Sequence, residues 1–206
     1  MTERKHRDRL ADAVRKLIEH AVVSEVSDDE AAEIAAQLED IDERLLRHPR
    51  GGMPRKVLPD FNDLQAIFRG DPVIGEHNPI APPVAVELVD GVIRGSANLG
   101  APYEGPPGYV HGAIIAATFD MLLGLANVAS GNPGMTGTLT VRYRRPTPLH
   151  TDLSFEARTG ERTGRKVIAK GTLHANGEIT AEAEGVFIVL ELDRAMQYFS
   201  DDAGQS

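Results

Sequence analysis

The chain has 206 residues, 41% of them hydrophobic and 26% charged, which suits one folded domain of ordinary size plus an appendage. It contains no cysteine, which excludes disulfides, thiolate metal sites and a cysteine nucleophile. A net charge of −9 and 5% aromatic content weigh against binding nucleic acid, whether by phosphate neutralisation or by base stacking.

The first nine residues are charged and lack the apolar core of a signal peptide, and no apolar run approaches the ~20 residues of a membrane span. The expected location is the cytoplasm. From residue 8 to about 23, Leu10, Ala13, Val14, Leu17, Ile18, Ala21 and Val22 form a helical stripe. Ser27-Asp28-Asp29-Glu30 reads as a capping box opening a second helix. Its apolar positions Ile34, Leu38, Ile41 and Leu45 alternate in steps of four and three. Residues 1–50 are thus predicted as a helical hairpin, expected to dock on its own domain or on a neighbouring subunit. Residues 51–83, rich in Gly, Pro and Asn with scattered Val57, Leu58, Phe61, Ile67, Phe68, Val73 and Ile74, read as an irregular connection and a candidate lid or site wall.

After Pro83 the period becomes that of strands. Val84–Val89 and Val92–Leu99 flank Asp90-Gly91, a two-residue hairpin signal. An apolar helix from Ala113 to Ala129 follows, then strands at Met135–Arg145, Leu149–Glu161, Lys166–Ala175 and Glu178–Leu190. Thr163-Gly164 and Asn176-Gly177 carry tight-turn text, so the last four strands are predicted as an antiparallel meander. Along Met135–Arg145, Thr136, Thr138, Thr140, Arg142 and Arg144 are expected to share one face. The tail 191–206 contains a possible short helix at Asp193–Phe199 and ends polar. The whole reads as an α+β domain over 84–190, a curved antiparallel sheet wrapped around one long central helix. That helix, apolar almost all round, needs more cover than one sheet provides, which predicts a homo-oligomer.

The stretch Gly108-Tyr109-Val110-His111-Gly112-Ala113 to Asp120 is the most informative. A glycine at the mouth of a buried helix lets a ligand approach free backbone N–H groups. A carboxylate among apolar residues is costly to bury without a partner or a job. Both suit stabilising an oxyanion and activating water. The two are eight residues apart, about 12 Å along one helix, too far for one copy to serve a single carbonyl. Two helices side by side and antiparallel can do so.

Residues 78–190 resemble the hotdog-fold thioesterase superfamily, especially phenylacetyl-CoA-type thioesterases. The resemblance rests on Asn78-Pro79-Ile80-Ala81-Pro82-Pro83, Tyr103-Glu104-Gly105-Pro106-Pro107-Gly108, His111-Gly112 with Asp120, Met135-Thr136, Tyr143-Arg144-Arg145-Pro146-Thr147-Pro148-Leu149 and Gly164-Arg165-Lys166. It implies a hotdog fold and acyl-CoA thioester hydrolysis in a subunit-interface site, with no cofactor beyond the coenzyme A of the substrate. It further implies Gly112 as oxyanion donor, Asp120 as general base or nucleophile, and Thr136 as the residue that places the water. The family's His-Gly-Gly reads His-Gly-Ala here, and alanine keeps the backbone N–H. His111 either contacts the acyl group or fixes the loop through a backbone hydrogen bond. Arg144, Arg165 and Lys166 are candidates for the coenzyme A phosphates. The histidines are scattered, and no metal is expected. The expected partners are an acyl-CoA and a second copy of the chain, as homodimer or dimer of dimers. The alternative is a non-catalytic acyl-CoA or fatty-acyl binder; a hotdog enoyl-CoA hydratase ranks last, since no Asp-x-x-x-x-His stretch enters the helix.

Overall fold

A computed structural model describes residues 2–49 and 68–189. Val57, Leu58, Phe61, Ile67, the end of the last predicted strand and the tail with its predicted helix lie outside the described residues. Three α-helices are described, α1 (Thr2–Val23), α2 (Asp28–Leu46) and α3 (Gly112–Ala129). The strands are β1 (Ala85–Val89), β2 (Val92–Asn98), β3 (Gly134–Tyr143), β4 (Asp152–Thr163), β5 (Lys166–Ala175) and β6 (Glu178–Val189). All pairings in the six-stranded sheet are antiparallel, in the order β1-β2-β4-β5-β6-β3.

That order corrects the predicted four-strand meander. Only β4, β5 and β6 follow one another, and β3 lies at the far edge beside β6. The hairpins form where the text supplies two-residue loops. Asp90-Gly91 and Asn176-Gly177 both take positive φ at each residue, as a type I′ turn requires. Between β4 and β5 the loop is Gly164-Arg165, one residue later than the sequence suggests, with positive φ at Gly164 alone. The β3–β4 junction has no such loop. It is a longer run through Pro146 and Pro148 whose backbone bonds to other segments: Arg144 and Arg145 N–H to the Thr180 carbonyl, Leu149 N–H to Gly108, and His150 N–H to Leu99. His150, at φ 51, sits in the left-handed region, so β4 starts at Asp152 and not at Leu149.

α3 crosses the inner face of the sheet. Ile115, Phe119, Leu122, Leu123, Leu125 and Ala126 are buried against Phe155, Ala157, Ala169, Leu173 and Phe187. Each large apolar side chain so buried contributes about 1.5–3 kcal/mol. Phe119 meets Phe155 edge-on at 5.6 Å between ring centres. The close approach needs a glycine on β5: a Cβ on Gly171 would sit 3.2 Å from the Phe119 ring and 2.8 Å from the Glu156 carbonyl. The expectation that no apolar run approaches a membrane span is corrected by α3, whose 18 residues are long and apolar enough to cross one. This face is nevertheless packed into the sheet, as in a core helix. The opposite face is not covered by the described residues. Ala113 and Ala117 are exposed, and Ala116, Asp120, Met121, Gly124 and Val128 are half-buried.

β3 departs from simple alternation. Thr136 faces Phe187 of β6, and Thr138 faces the adjacent Val186, so Gly137 is an extra residue in a β-bulge. Thr138, Thr140 and Arg142 share the outer face, while the bulge turns Thr136 to the helix side with Leu139, Val141 and Tyr143. The expectation that Thr136 shares a face with Thr138 and Arg142 is therefore wrong, because an inserted residue shifts the period of two by one. β3 also ends at Tyr143, before Arg144.

α1 begins earlier than its stripe suggests and docks on the domain through Asp8, Ala11, Arg15 and Glu19. α2 is capped by Ser27, whose Oγ accepts the Glu30 N–H, and no residue of it is buried.

Candidate active site

The loop from Tyr103 to His111 is stapled to its surroundings residue by residue. Glu104 and Val110 form an antiparallel bridge, the Glu104 carboxylate accepts the Gly108 N–H at 2.6 Å, and Val110 N–H donates to the Thr147 carbonyl. Gly108 is at φ +82, which only glycine adopts without strain. This delivers His111 as the N-cap of α3. The His111 Nδ1 accepts the Ala113 N–H at 3.0 Å, which places the neutral ring's proton on Nε2. Of the two alternatives for His111, the backbone hydrogen bond is the one present in the chain.

The same cap leaves the Gly112 N–H without a hydrogen bond to any described residue. The peptide group carrying that N–H is polarised, since the His111 carbonyl accepts from Ile114 N–H at 3.0 Å and Ile115 N–H at 3.4 Å. The positive end of the α3 dipole adds to it. Tyr143, at the end of β3, donates its hydroxyl to the Gly112 carbonyl at 2.8 Å. Burial pushes its phenol above the ordinary value of 10.0, so it stays a donor through the neutral range. Sequence reasoning quoted Tyr143 within a motif but assigned it no role. Its parity with Leu139 and Val141 on β3 was the available signal.

Two turns along α3, Asp120 lies on the uncovered stripe, half-buried, and is not enclosed by apolar side chains as its sequence context suggests. Thr136 Oγ1 donates to Asp120 Oδ1 at 2.7 Å. The hydroxyl keeps a lone pair for a water hydrogen, and the second carboxylate oxygen is left to take a proton. Sequence reasoning missed Gly137, although an isolated glycine within a strand pattern is the usual mark of a bulge.

The predicted residues fall into two groups. His111, Gly112 and Arg144 gather at one end of α3, where Tyr143 joins them, and Asp120, Thr136, Arg165 and Lys166 lie toward the other. Arg144 N–H binds Thr180 of β6, whereas Lys166 pairs with Ile188 of the same strand, about 26 Å further along. One chain therefore does not bring its three basic candidates to one phosphate group. Arg144 already forms a close ion pair with Glu182, while Arg165 and Lys166 are exposed at the β4–β5 turn.

One ligand-like cluster escaped the sequence, because its members come from separate elements. Asp8 of α1 and Glu76 and His77 of the connection place their ligand atoms within 4.8 Å of one another. Arg69 Nε lies 2.8 Å from Glu76, and His77 Nε2 lies 2.7 Å from Asp8. Its positive charge thus comes from the protein itself, and the cluster serves as a polar seam docking α1.

The chain is similar to known proteins in sequence and fold. The family model of the thioesterase superfamily matches residues 107–181, which include α3, Asp120 and Thr136. Acyl-coenzyme A thioesterase THEM4 of Xenopus laevis is 36% identical over 92 residues, 43% of this chain and 41% of the relative. Its Bos taurus counterpart is 31% identical over 99 residues, covering 47% and 40%. The chain thus spans about two fifths of the length of these curated relatives. Zebra fish thioesterase superfamily member 2 shares the fold, at a TM-score of 0.55 and 18% identity over 65% of this chain and 100% of that one. The crystal structure of RHA08564, a thioesterase superfamily protein, superposes with a TM-score of 0.79 and 34% identity, covering 88% of this chain and 90% of that one. With its helix wrapped by an antiparallel sheet and its N-terminal helices included in that last match, the chain belongs to the thioesterase superfamily.

Proposed function

We propose that this chain hydrolyses acyl-CoA thioesters to the free acid and coenzyme A, in sites shared between two copies. The observation that carries the reading is the Thr136–Asp120 hydrogen bond of 2.7 Å at one end of α3, with the unengaged Gly112 N–H at the other. These two ends are about 12 Å apart in one chain, but an antiparallel pair of α3 helices superposes them. The uncovered stripe of α3 suits such a pair, because Ala113, Ala116, Ala117 and Gly124 let a second helix come close. β3, the edge strand beside the site, pairs on that side with no other described strand, which offers its backbone edge for the same contact.

In the shared site, the thioester oxygen rests against the Gly112 N–H of one subunit. Thr136 and Asp120 of the other hold a water facing the carbonyl carbon. Asp120 takes a proton as the water oxygen bonds to that carbon, and the charge passing to the carbonyl oxygen is held by the Gly112 N–H and the helix dipole. When the intermediate collapses, the C–S bond breaks and the thiolate recovers the proton from Asp120. The antiparallel arrangement also brings Arg144 of one subunit toward the end that holds Arg165 and Lys166 of the other, where coenzyme A phosphates would lie. The names of the curated relatives support coenzyme A as the thiol carrier.

A thiol-release assay over aromatic and C4–C18 acyl-CoAs tests the reading. Turnover is expected on at least one class, falling about 10²-fold or more in Asp120→Ala. Saturable binding of acyl-CoA without thiol release would favour the non-catalytic binder instead.

A further inference from the structure

The resemblance rests partly on Asn78-Pro79-Ile80-Ala81, a segment to which the proposed chemistry gives no task. In the structure it lies under α1. The Arg15 guanidinium reaches down from that helix, donating from Nε to the Ala81 carbonyl and from a terminal nitrogen to the Asn78 carbonyl, each at 3.2 Å. Its other terminal nitrogen is braced by Asp12 at 2.6 Å. The Ala81 carbonyl, in a fully buried residue, accepts a second bond at 3.2 Å from the Tyr103 hydroxyl. The Tyr103 carbonyl in turn accepts the His111 N–H at 2.8 Å, and His111 immediately precedes Gly112. Three hydrogen bonds in series thus run from the N-terminal helix to His111, the residue that immediately precedes the proposed oxyanion donor.

We infer that Arg15 is a positioning residue for the Gly112 N–H, acting through Ala81, Tyr103 and His111, so that α1 is part of the catalytic scaffold. Arg15, Ala81 and Tyr103 all lie outside residues 107–181, so the family match does not cover this arrangement. The inference rests on the proposed hydrolysis for its effect on rate, but not for its effect on Gly112 itself. An oxyanion donor must lie about 3 Å from the developing charge, so small displacements of the loop act on turnover more than on substrate binding. Burial, opposed by Arg15 and assisted by Glu19, pushes the Tyr103 phenol upward, which keeps its hydroxyl a donor at assay pH.

The test compares Arg15→Ala, Arg15→Lys, Tyr103→Phe and His77→Gln in the full chain. His77→Gln loosens the Asp8 contact of the same docked helix without touching the series. Arg15→Ala and Tyr103→Phe are each expected to lower kcat about tenfold with KM nearly unchanged. The double variant should be no worse than the poorer single one, and added guanidinium should restore part of the Arg15→Ala loss. In protein labelled with 15N-glycine, the Gly112 amide resonance should move in both. Arg15→Lys should retain more activity than Arg15→Ala, and His77→Gln should lower Tm but not kcat. Wild-type kcat together with an unmoved Gly112 amide in Tyr103→Phe would overturn the inference, even if Arg15→Ala fails to fold. An equal kcat loss in His77→Gln would also overturn it, by showing that α1 docking alone matters. Should the wild type release no thiol from any acyl-CoA, the proposed hydrolysis falls. The Gly112 amide then decides alone: its movement supports the series, and its constancy ends it.

Discussion

Gly112 permits an unusually clean substitution because it is the first residue of α3. Proline is favoured at that position, where its missing N–H costs the helix no hydrogen bond. His111, at φ −62 and ψ 131, already has the extended backbone required before a proline. Gly112→Pro should therefore remove the oxyanion donor with the helix intact. Gly112→Ala is the matching control. It adds the same Cβ, about 3.2 Å from the Tyr143 ring and hydroxyl, but keeps the N–H. Steady-state thiol release should show kcat reduced about 10²–10³-fold in the proline variant and nearly preserved in the alanine variant. An equal loss in both would assign the effect to crowding of Tyr143. At this scale Asp120 and Gly112 stood out in the sequence because their residue types are chemically conspicuous in apolar or loop text, whereas Thr136 was named only through the family resemblance. Tyr143 did not stand out, since its task depends on which face of β3 it occupies.

The bulge is the element that joins Thr136 to Asp120. Deleting Gly137 leaves Thr136 directly before Thr138, so strict alternation keeps Thr136 opposite Phe187 on the helix side with Leu139, Val141 and Tyr143. Deletion is thus expected to spare kcat relative to Thr136→Val, with little change in the far-ultraviolet circular dichroism. A loss as large as that of Thr136→Val would show that the bulge geometry itself, beyond the face it gives Thr136, is needed for the contact with Asp120. The sequence made hairpins legible wherever two-residue turn text occurs, at Asp90-Gly91 and Asn176-Gly177, since those residues tolerate positive φ. The β3–β4 crossing was not legible. A proline-containing linker states only that a tight turn is absent, and the destination of β3 beside β6 is set by pairing across the whole sheet. α1 showed its periodicity but not its partner, because the seam of Asp8, Arg15, Arg69 and His77 assembles only in three dimensions.

For the whole molecule, the distribution of groups along α3 decides the architecture of the site. The proposed oxyanion end carries His111, Gly112 and Tyr143, and the proposed water-activating end carries Asp120 and Thr136. On the proposed chemistry neither end serves one carbonyl within its own chain, and a stripe of small residues between them is left uncovered by the sheet. Helical rise makes the separation legible from the sequence alone, whereas the stripe emerges only once the sheet's coverage is known. Mixing two inactive variants, Asp120→Ala and Gly112→Pro, tests shared sites most directly. After dissociation and random reassociation at equal amounts, half the dimers pair one of each, and each such dimer retains one intact site of two. Thiol release should then recover to about a quarter of the wild-type rate. A mixture that reassociates yet stays as inactive as its components would contradict the shared site and place the reaction within a single chain.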